Sequence, residues 1–169
     1  MPLIDVVETD IARMPVDAVV VATRPDLGDV GGPAGAVQRR AGAGMIAACR
    51  LLRETTLPHG LDVGYAVVTT GGSLPARWVV HTVGPRYSRR EDRSDILRAT
   101  YRRCLLVAES VGAKTVAFPL LSVGGGAWPL ADAIDQASSA LGTAECAVDV
   151  VPLVAPDGGS AGALRAALE

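Results

Sequence analysis

Short, strongly apolar runs alternate along this chain with stretches in which apolar residues recur every third or fourth position. Asp17-Ala-Val-Val-Val-Ala-Thr23 is nearly continuous in β-branched residues, the pattern of a strand buried on both faces. Leu3 to Val7, Val63 to Thr70, Trp78 to Val83, Thr115 to Phe118 and Val148 to Val154 read as further strands. From about Gly35 to Leu52, Val37, Ala41, Met45, Cys49 and Leu52 keep an i, i+4 rhythm. Arg39, Arg40, Arg50 and Arg53 lie mostly off that stripe, so one amphipathic helix is predicted. Ser94 reads as the N-cap of a second helix running to about Val111, with Ile96, Tyr101, Cys104, Leu105 and Ala108 inward and Gly112 as its terminating glycine. Pro129 opens a third, to about Leu141, and Gly162 to Leu168 a short last one. About six strands with interspersed helices predict an α/β fold, a mixed sheet covered on both faces. No internal repeat or linker interrupts residues 1–169, so a single domain is expected.

Composition narrows the function classes. Apolar residues make up 49% and charged residues 20% of the chain, which suits a globular protein and not a disordered one. No apolar run approaches the roughly 18–20 residues of a membrane helix. The opening MPLIDVVETD carries acids early and no basic stretch, unlike a signal peptide, so a cytoplasmic location is expected. Cys49, Cys104 and Cys146 stand far apart in no metal or redox spacing, and read as free thiols. Two histidines, His59 and His81, leave no His-rich metal site. Fifteen of the sixteen basic residues are arginine, seven of them between Arg86 and Arg103. This cluster can contact phosphates or, the reading preferred here, form a solvated helix face.

Two glycine-rich loops follow strands: Gly28 to Gly35, and Ser122 to Gly126 after Leu120-Leu121. Such loops turn backbone N–H groups toward an anion and let a phosphate approach closely. Neither has the Gly-x-x-x-x-Gly-Lys-Ser/Thr pattern of an ATPase phosphate loop.

Four segments, in order, resemble the macrodomain family. They are Thr9-Asp10-Ile11 ahead of Asp17-Ala18-Val19-Val20; Leu27 through Gly31-Gly32-Pro33-Ala34-Gly35 to Gly42; Gly64 through His81-Thr82-Val83-Gly84-Pro85; and Ala117-Phe118-Pro119-Leu120-Leu121-Ser122-Val123-Gly124. The resemblance covers roughly residues 3 to 155. It implies a three-layer α/β/α macrodomain-like fold, ADP-ribose as ligand and ADP-ribosylated proteins as further partners, with no cofactor. A nucleic-acid or nucleotide binder using the arginine cluster is a third reading, against which the acidic balance and the scarcity of aromatics weigh. The ligand-binding residues it implies are Asp10 and Ile11 at adenine, Thr23 and Arg24 toward the distal ribose, then Gly31, Gly32, Ala34 and Gly35. Ser122, Val123, Gly124, Gly125, Gly126, Ala127 and Trp128 complete the set. His81 is implied to be structural.

The chain departs from hydrolase members where catalysis is concerned. Their Asn-Ala-Ala-Asn stretch is Val21-Ala22-Thr23-Arg24 here, their loop acid is Ala34, and the following helix histidine is Gln38. No catalytic residue is therefore assigned. Asp26 or Asp29 could replace the missing acid, though surface loop aspartates are usually solvated. Two readings stay open: a binding module for ADP-ribose or ADP-ribosylated protein, and an ADP-ribosyl hydrolase using a water positioned by the ligand's own phosphate.

Overall fold

The alternation of Ala18, Val19, Val20 and Val21, all but unexposed, feeds two separate apolar cores from one strand. The computed structural model describes residues 1–28 and 31–169. Its strands are β1 (Leu3–Glu8), β2 (Ala18–Ala22), β3 (Ala66–Thr70), β4 (Trp78–Thr82), β5 (Val116–Ala117) and β6 (Val150–Ala155). Its helices are α1 (Gly32–Ala41), α2 (Ala43–Glu54), α3 (Ser94–Ser110), α4 (Leu130–Gly142) and α5 (Gly158–Leu168). Single 3-10 turns occupy Ile11–Arg13 and Gly124–Gly126.

Two ladders, β3-β4-β2-β5 and β6-β1, join through bridges Thr115 to Val150 and Phe118 to Leu153. The resulting mixed sheet runs β3-β4-β2-β5-β6-β1, and β3 alone is antiparallel to its neighbour. Ala18 and Val20 face the core built with α3, α4 and α5, including Leu97, Tyr101, Leu105, Ile134, Leu141 and Leu164. Val19 and Val21 face the core built with α1 and α2, including Val37, Met45 and Cys49. This is the expected three-layer arrangement. Asp17 aligns the start of β2 with β5: its carboxylate accepts from the N–H groups of Lys114 and Thr115 at 2.8 and 3.1 Å. Those hydrogen bonds hold its pKa below the ordinary carboxylate value.

Several element boundaries differ from the sequence reading. The single helix over 35–52 is two, broken at Gly42, whose φ is +84°. Ala41 ends the first helix because its carbonyl turns to accept from the Ser73 N–H at 2.9 Å. The i, i+4 stripe survives the break, since Val37, Ala41, Met45 and Cys49 are all buried. Arg93, not Ser94, is the N-cap of α3, and Leu97 points inward where Ile96 was expected; Ile96 is 42% exposed. The strand placed at 63–70 begins at Ala66, after a turn in which the Gly64 N–H reaches the Val83 carbonyl. The last helix begins four residues earlier than expected, capped by the Asp157 carboxylate on the Ser160 N–H. Of the seven clustered arginines, Arg86, Arg89, Arg90 and Arg93 precede α3 and only Arg98, Arg102 and Arg103 lie on it. Arg98 bonds Asp95 and Gln136, and Arg103 lies over the Tyr65 ring and donates to the Gly64 carbonyl.

His81 sits inside β4 with no exposed surface, its Nε2 2.8 Å from the Thr69 hydroxyl. Burial lowers its pKa from the ordinary 6.5 to about 4. The unfolded chain takes up this proton below pH 6.5 while the folded protein refuses it until about pH 4. Stability must therefore fall as pH drops through that window, by about 3 kcal/mol at its lower end. Denaturant unfolding of wild type and His81→Gln across pH 7 to 4 checks this, with a flatter pH dependence expected in the variant. Parallel curves would show that His81 does not titrate abnormally.

Candidate functional site

Three neighbouring parallel strands, β4, β2 and β5, end at the same edge of the sheet. The chain leaves β2 toward α1 on one face and β5 toward α4 on the other. Divergent exits of this kind open a crevice beyond the strand carboxyl ends. Here the crevice is a cleft of about 530 Å³. Its floor is Val20, Val21 and Ala22; its walls are Thr23, Arg24 and Pro25, then Gly31, Pro33 and Ala34. The far side is Gly84 and Arg86, Pro119 and Leu120, then Ser122, Val123, Gly125 and Gly126, with Ile11 at one end.

The two glycine loops thus meet across one cleft. Gly31 caps α1 with φ +69° and Gly32 follows with φ +57°, conformations that favour glycine. They aim the opening of α1 at the cleft. Of a helix's first turn, the N–H groups have no partner within the helix. In the second loop Gly124 has φ +75°, and an added Cβ at Gly124 or Gly125 meets no atom within 4 Å, so both face open space. This loop is clamped at its ends. Trp128 N–H donates to the Ser122 carbonyl at 2.9 Å, and Tyr87 N–H to the Gly126 carbonyl at 2.8 Å. The Tyr87 and Trp128 rings meet edge to face at 5.5 Å, and Trp128 Nε1 donates to Asp132. Below, the fully buried Tyr101 hydroxyl accepts from the Leu121 N–H at 2.8 Å.

Ser122 combines two unfavourable features. It adopts φ +67° with a side chain, and its buried hydroxyl has no hydrogen-bond partner among the described residues. A non-glycine residue in this region costs of order 1–3 kcal/mol, and an unsatisfied buried polar group about as much again.

The expected ligand residues fall into two groups. Ile11, Thr23, Arg24, Gly31, Ala34, Ser122, Val123, Gly125 and Gly126 line the cleft. Asp10, Gly32, Gly35, Gly124, Ala127 and Trp128 do not line it directly. Asp10 caps the first 3-10 turn, its Oδ1 accepting from the Ala12 N–H at 3.0 Å while Oδ2 lies 3.7 Å from Arg13. Gly35 is buried and its N–H donates to the Gly31 carbonyl. Trp128 is buried and acts on the loop from behind. Of the two acids considered as replacements, Asp29 lies outside the described residues. Asp26 pairs with Arg24 and accepts from the Gly28 N–H, which together hold it ionised below the ordinary range. It lines a separate 340 Å³ pocket floored by Met45 and Cys49 and not this cleft. Sequence reading missed Gly84, Arg86 and Pro119. Each stands just past a strand end, which the switch-point rule could have flagged.

Among the described residues, no three His, Cys, Asp or Glu side chains cluster to hold a metal ion, and no helix is long and apolar enough to cross a membrane.

Comparison with known proteins gives concordant results. The macro domain family model matches residues 20–137. A macro domain-containing protein of Streptomyces nogalater is 47% identical over 91% of this chain and 85% of its own length. An O-acetyl-ADP-ribose deacetylase of Salmonella typhimurium is 38% identical over 79% of this chain and 74% of its own. The solved Oceanobacillus iheyensis macrodomain with ADP superposes with a TM-score of 0.90 at 25% identity, covering 98% of this chain and 89% of that one.

The support of the loop from below is open to test. Tyr101→Phe leaves the Leu121 N–H without an acceptor in a dry interior, so stability is expected to fall by about 1–3 kcal/mol. Chemical denaturation measures it, and an unchanged midpoint would show that Leu121 finds another partner at no cost.

Proposed function

The chain belongs to the macro domain family, and from that premise we propose that it binds ADP-ribose, free or carried on a modified protein, as one macrodomain unit over residues 1–169. The observation that carries this reading is the single cleft onto which Gly31 and the 122–126 loop both open. ADP-ribose needs donors for a diphosphate at its centre. In this reading the amides of Gly32 and Ala34 in the first turn of α1, and those of Val123 to Gly126 opposite, supply them, with Gly31 and Gly35 letting the phosphate approach closely. Ser122, Ala127 and Trp128 hold the second loop in place. Adenine lies at the Ile11 end, where the half-exposed Asp10 carboxylate accepts from the exocyclic amine and the Ile11 N–H donates. Thr23 and Arg24 flank the distal ribose. The Oceanobacillus macrodomain solved with ADP supports a nucleoside diphosphate as the kind of ligand. We place this activity in the bacterial cytoplasm; the bacterial relatives support the first half of that setting.

Calorimetry with ADP-ribose tests the reading on wild type and two variants. Asp10→Ala removes a charged acceptor, a loss of about 1.5–3 kcal/mol, so affinity is expected to fall roughly tenfold or more. Gly125→Val fills open space in front of the loop without forcing a positive φ, so the protein is expected to fold and to lose binding. A folded wild type that does not bind ADP-ribose contradicts the reading; normal binding by either variant removes that residue from the site.

A second reading is that the cleft also hydrolyses an ester-linked ADP-ribosyl group, favoured by the relative named a deacetylase. Arg24 and Ala34 supply no base at neutral pH, and a positioned acid–base group is typically worth about 10²–10⁴-fold. A water held by the ligand's own phosphate, with the developing charge stabilised by loop amides, then gives slow turnover. Arg24→Asn with Ala34→Asp is expected to raise turnover of an ester-linked ADP-ribosylated protein. A fast wild type that gains nothing from the double substitution would place the catalytic groups elsewhere.

A further inference from the structure

Gly84 follows β4 and lines the cleft, yet its φ is not in the left-handed region, so its backbone would accept a side chain. What a side chain there would meet is the Ser122 hydroxyl, which would have to move aside. A Cβ at Gly84 would stand 2.6 Å from the Ser122 hydroxyl oxygen, while its next contacts, 3.7 Å to Ser122 N and 3.8 Å to Ser122 Cβ, are ordinary. On the other side, a Cβ at Gly126 would come within 3.2 Å of Ser122 Cβ. The serine side chain therefore occupies a slot between two glycines, one at the end of β4 and one in the glycine loop. Its hydroxyl oxygen is buried, so the little of Ser122 that lines the cleft is not its hydroxyl.

We infer that Ser122 is a spacer seated on Gly84, and that Gly84 is a positioning residue for anion binding: the pair sets how far the Gly124–Gly126 amides stand from the end of β4. The inference rests on the ADP-ribose reading above. It accounts for a serine being held at φ +67° with its hydroxyl unpaired; the local cost is retained because the loop's height depends on it. It also separates this side chain from a direct ligand contact, because a spacer acts by volume and not by donating a hydrogen bond.

A double-mutant cycle on the full chain, read as ADP-ribose affinity with thermal unfolding as the folding control, decides the matter. Gly84→Ala drives the hydroxyl and the loop away, and small misplacements of positioning groups are costly; affinity is expected to fall about tenfold or more. Ser122→Ala alone removes the spacer atom and is expected to weaken binding, by less than Gly84→Ala does, because nothing then pushes the loop away. Adding it to Gly84→Ala removes the one close contact, so the double variant is expected to fold and to bind like Ser122→Ala. If Gly84→Ala alone does not fold, Ser122→Cys presses a larger atom onto the intact Gly84 and is expected to weaken binding in a folded protein. Normal binding by Gly84→Ala or by Ser122→Cys overturns the inference. So does a double variant as weak as Gly84→Ala, which would mean that Gly84 acts independently of Ser122. Normal binding by Ser122→Ala would show that the loop's height does not depend on the hydroxyl and overturn it equally. Wild type that fails to bind ADP-ribose overturns the functional reading itself, whereas binding wild type with an unsuppressed cycle overturns only the spacer.

Discussion

Everything at the site depends on β2 being buried on both faces between β4 and β5. Ala18 through Val21 send alternate side chains into two cores that share no residues, so the strand cannot slip by one position without exchanging both sets. Asp17 fixes the register at its start through the Lys114 and Thr115 amides. With β2 pinned at one end and packed along its length, its carboxyl end is pinned too, and Thr23 N–H reaches the Thr82 carbonyl at 2.8 Å. The cleft is the consequence: three strand ends held level, with the chain leaving to opposite faces of the sheet.

The two walls of the cleft are held by different means. The α1 wall is mostly backbone, an N-terminal turn whose cap is glycine and which carries no side-chain cap hydrogen bond. The opposite wall is a loop braced from several directions: by Tyr101 beneath Leu121, by Trp128 and Tyr87 at its ends, and by Ser122 against Gly84. A loop with three consecutive glycines has few side chains of its own to hold it. The residues behind it do that work, through the Tyr101 hydroxyl, the Trp128 and Tyr87 backbone N–H groups and the contact between their rings, which explains why Trp128 stands next to the site without lining it.

Some of this was legible in the sequence, and for identifiable reasons. β2 declared itself because a run of valines has few other uses, and the two glycine loops because glycine clusters after strands suit little else. The stripe from Val37 to Cys49 was read correctly as a buried face but wrongly as one helix. The signal for the break is not local, since Ser73, thirty-one residues beyond Gly42, reaches the Ala41 carbonyl. Ile96 and Leu97 are adjacent and both apolar, and only the packing of α3 decides which is inside. At the site, the resemblance to a family led to Thr23, Gly31 and Ser122. It did not reveal that Asp26 turns to Arg24 and away from the cleft, or that Gly84 and Arg86 line it, because those are facts of direction that spacing does not encode.

The central claim is that the loop amides and the Ile11 end of one cleft hold the ligand together. Backbone amide chemical shifts followed by NMR during an ADP-ribose titration address it most directly. The expected result is saturable shifts at Ile11, Gly31, Gly125 and Gly126, with the amides of α5 unmoved. Shifts confined to the arginine-bearing segment from Arg86 to Arg93, or to the pocket floored by Met45 and Cys49, would contradict it.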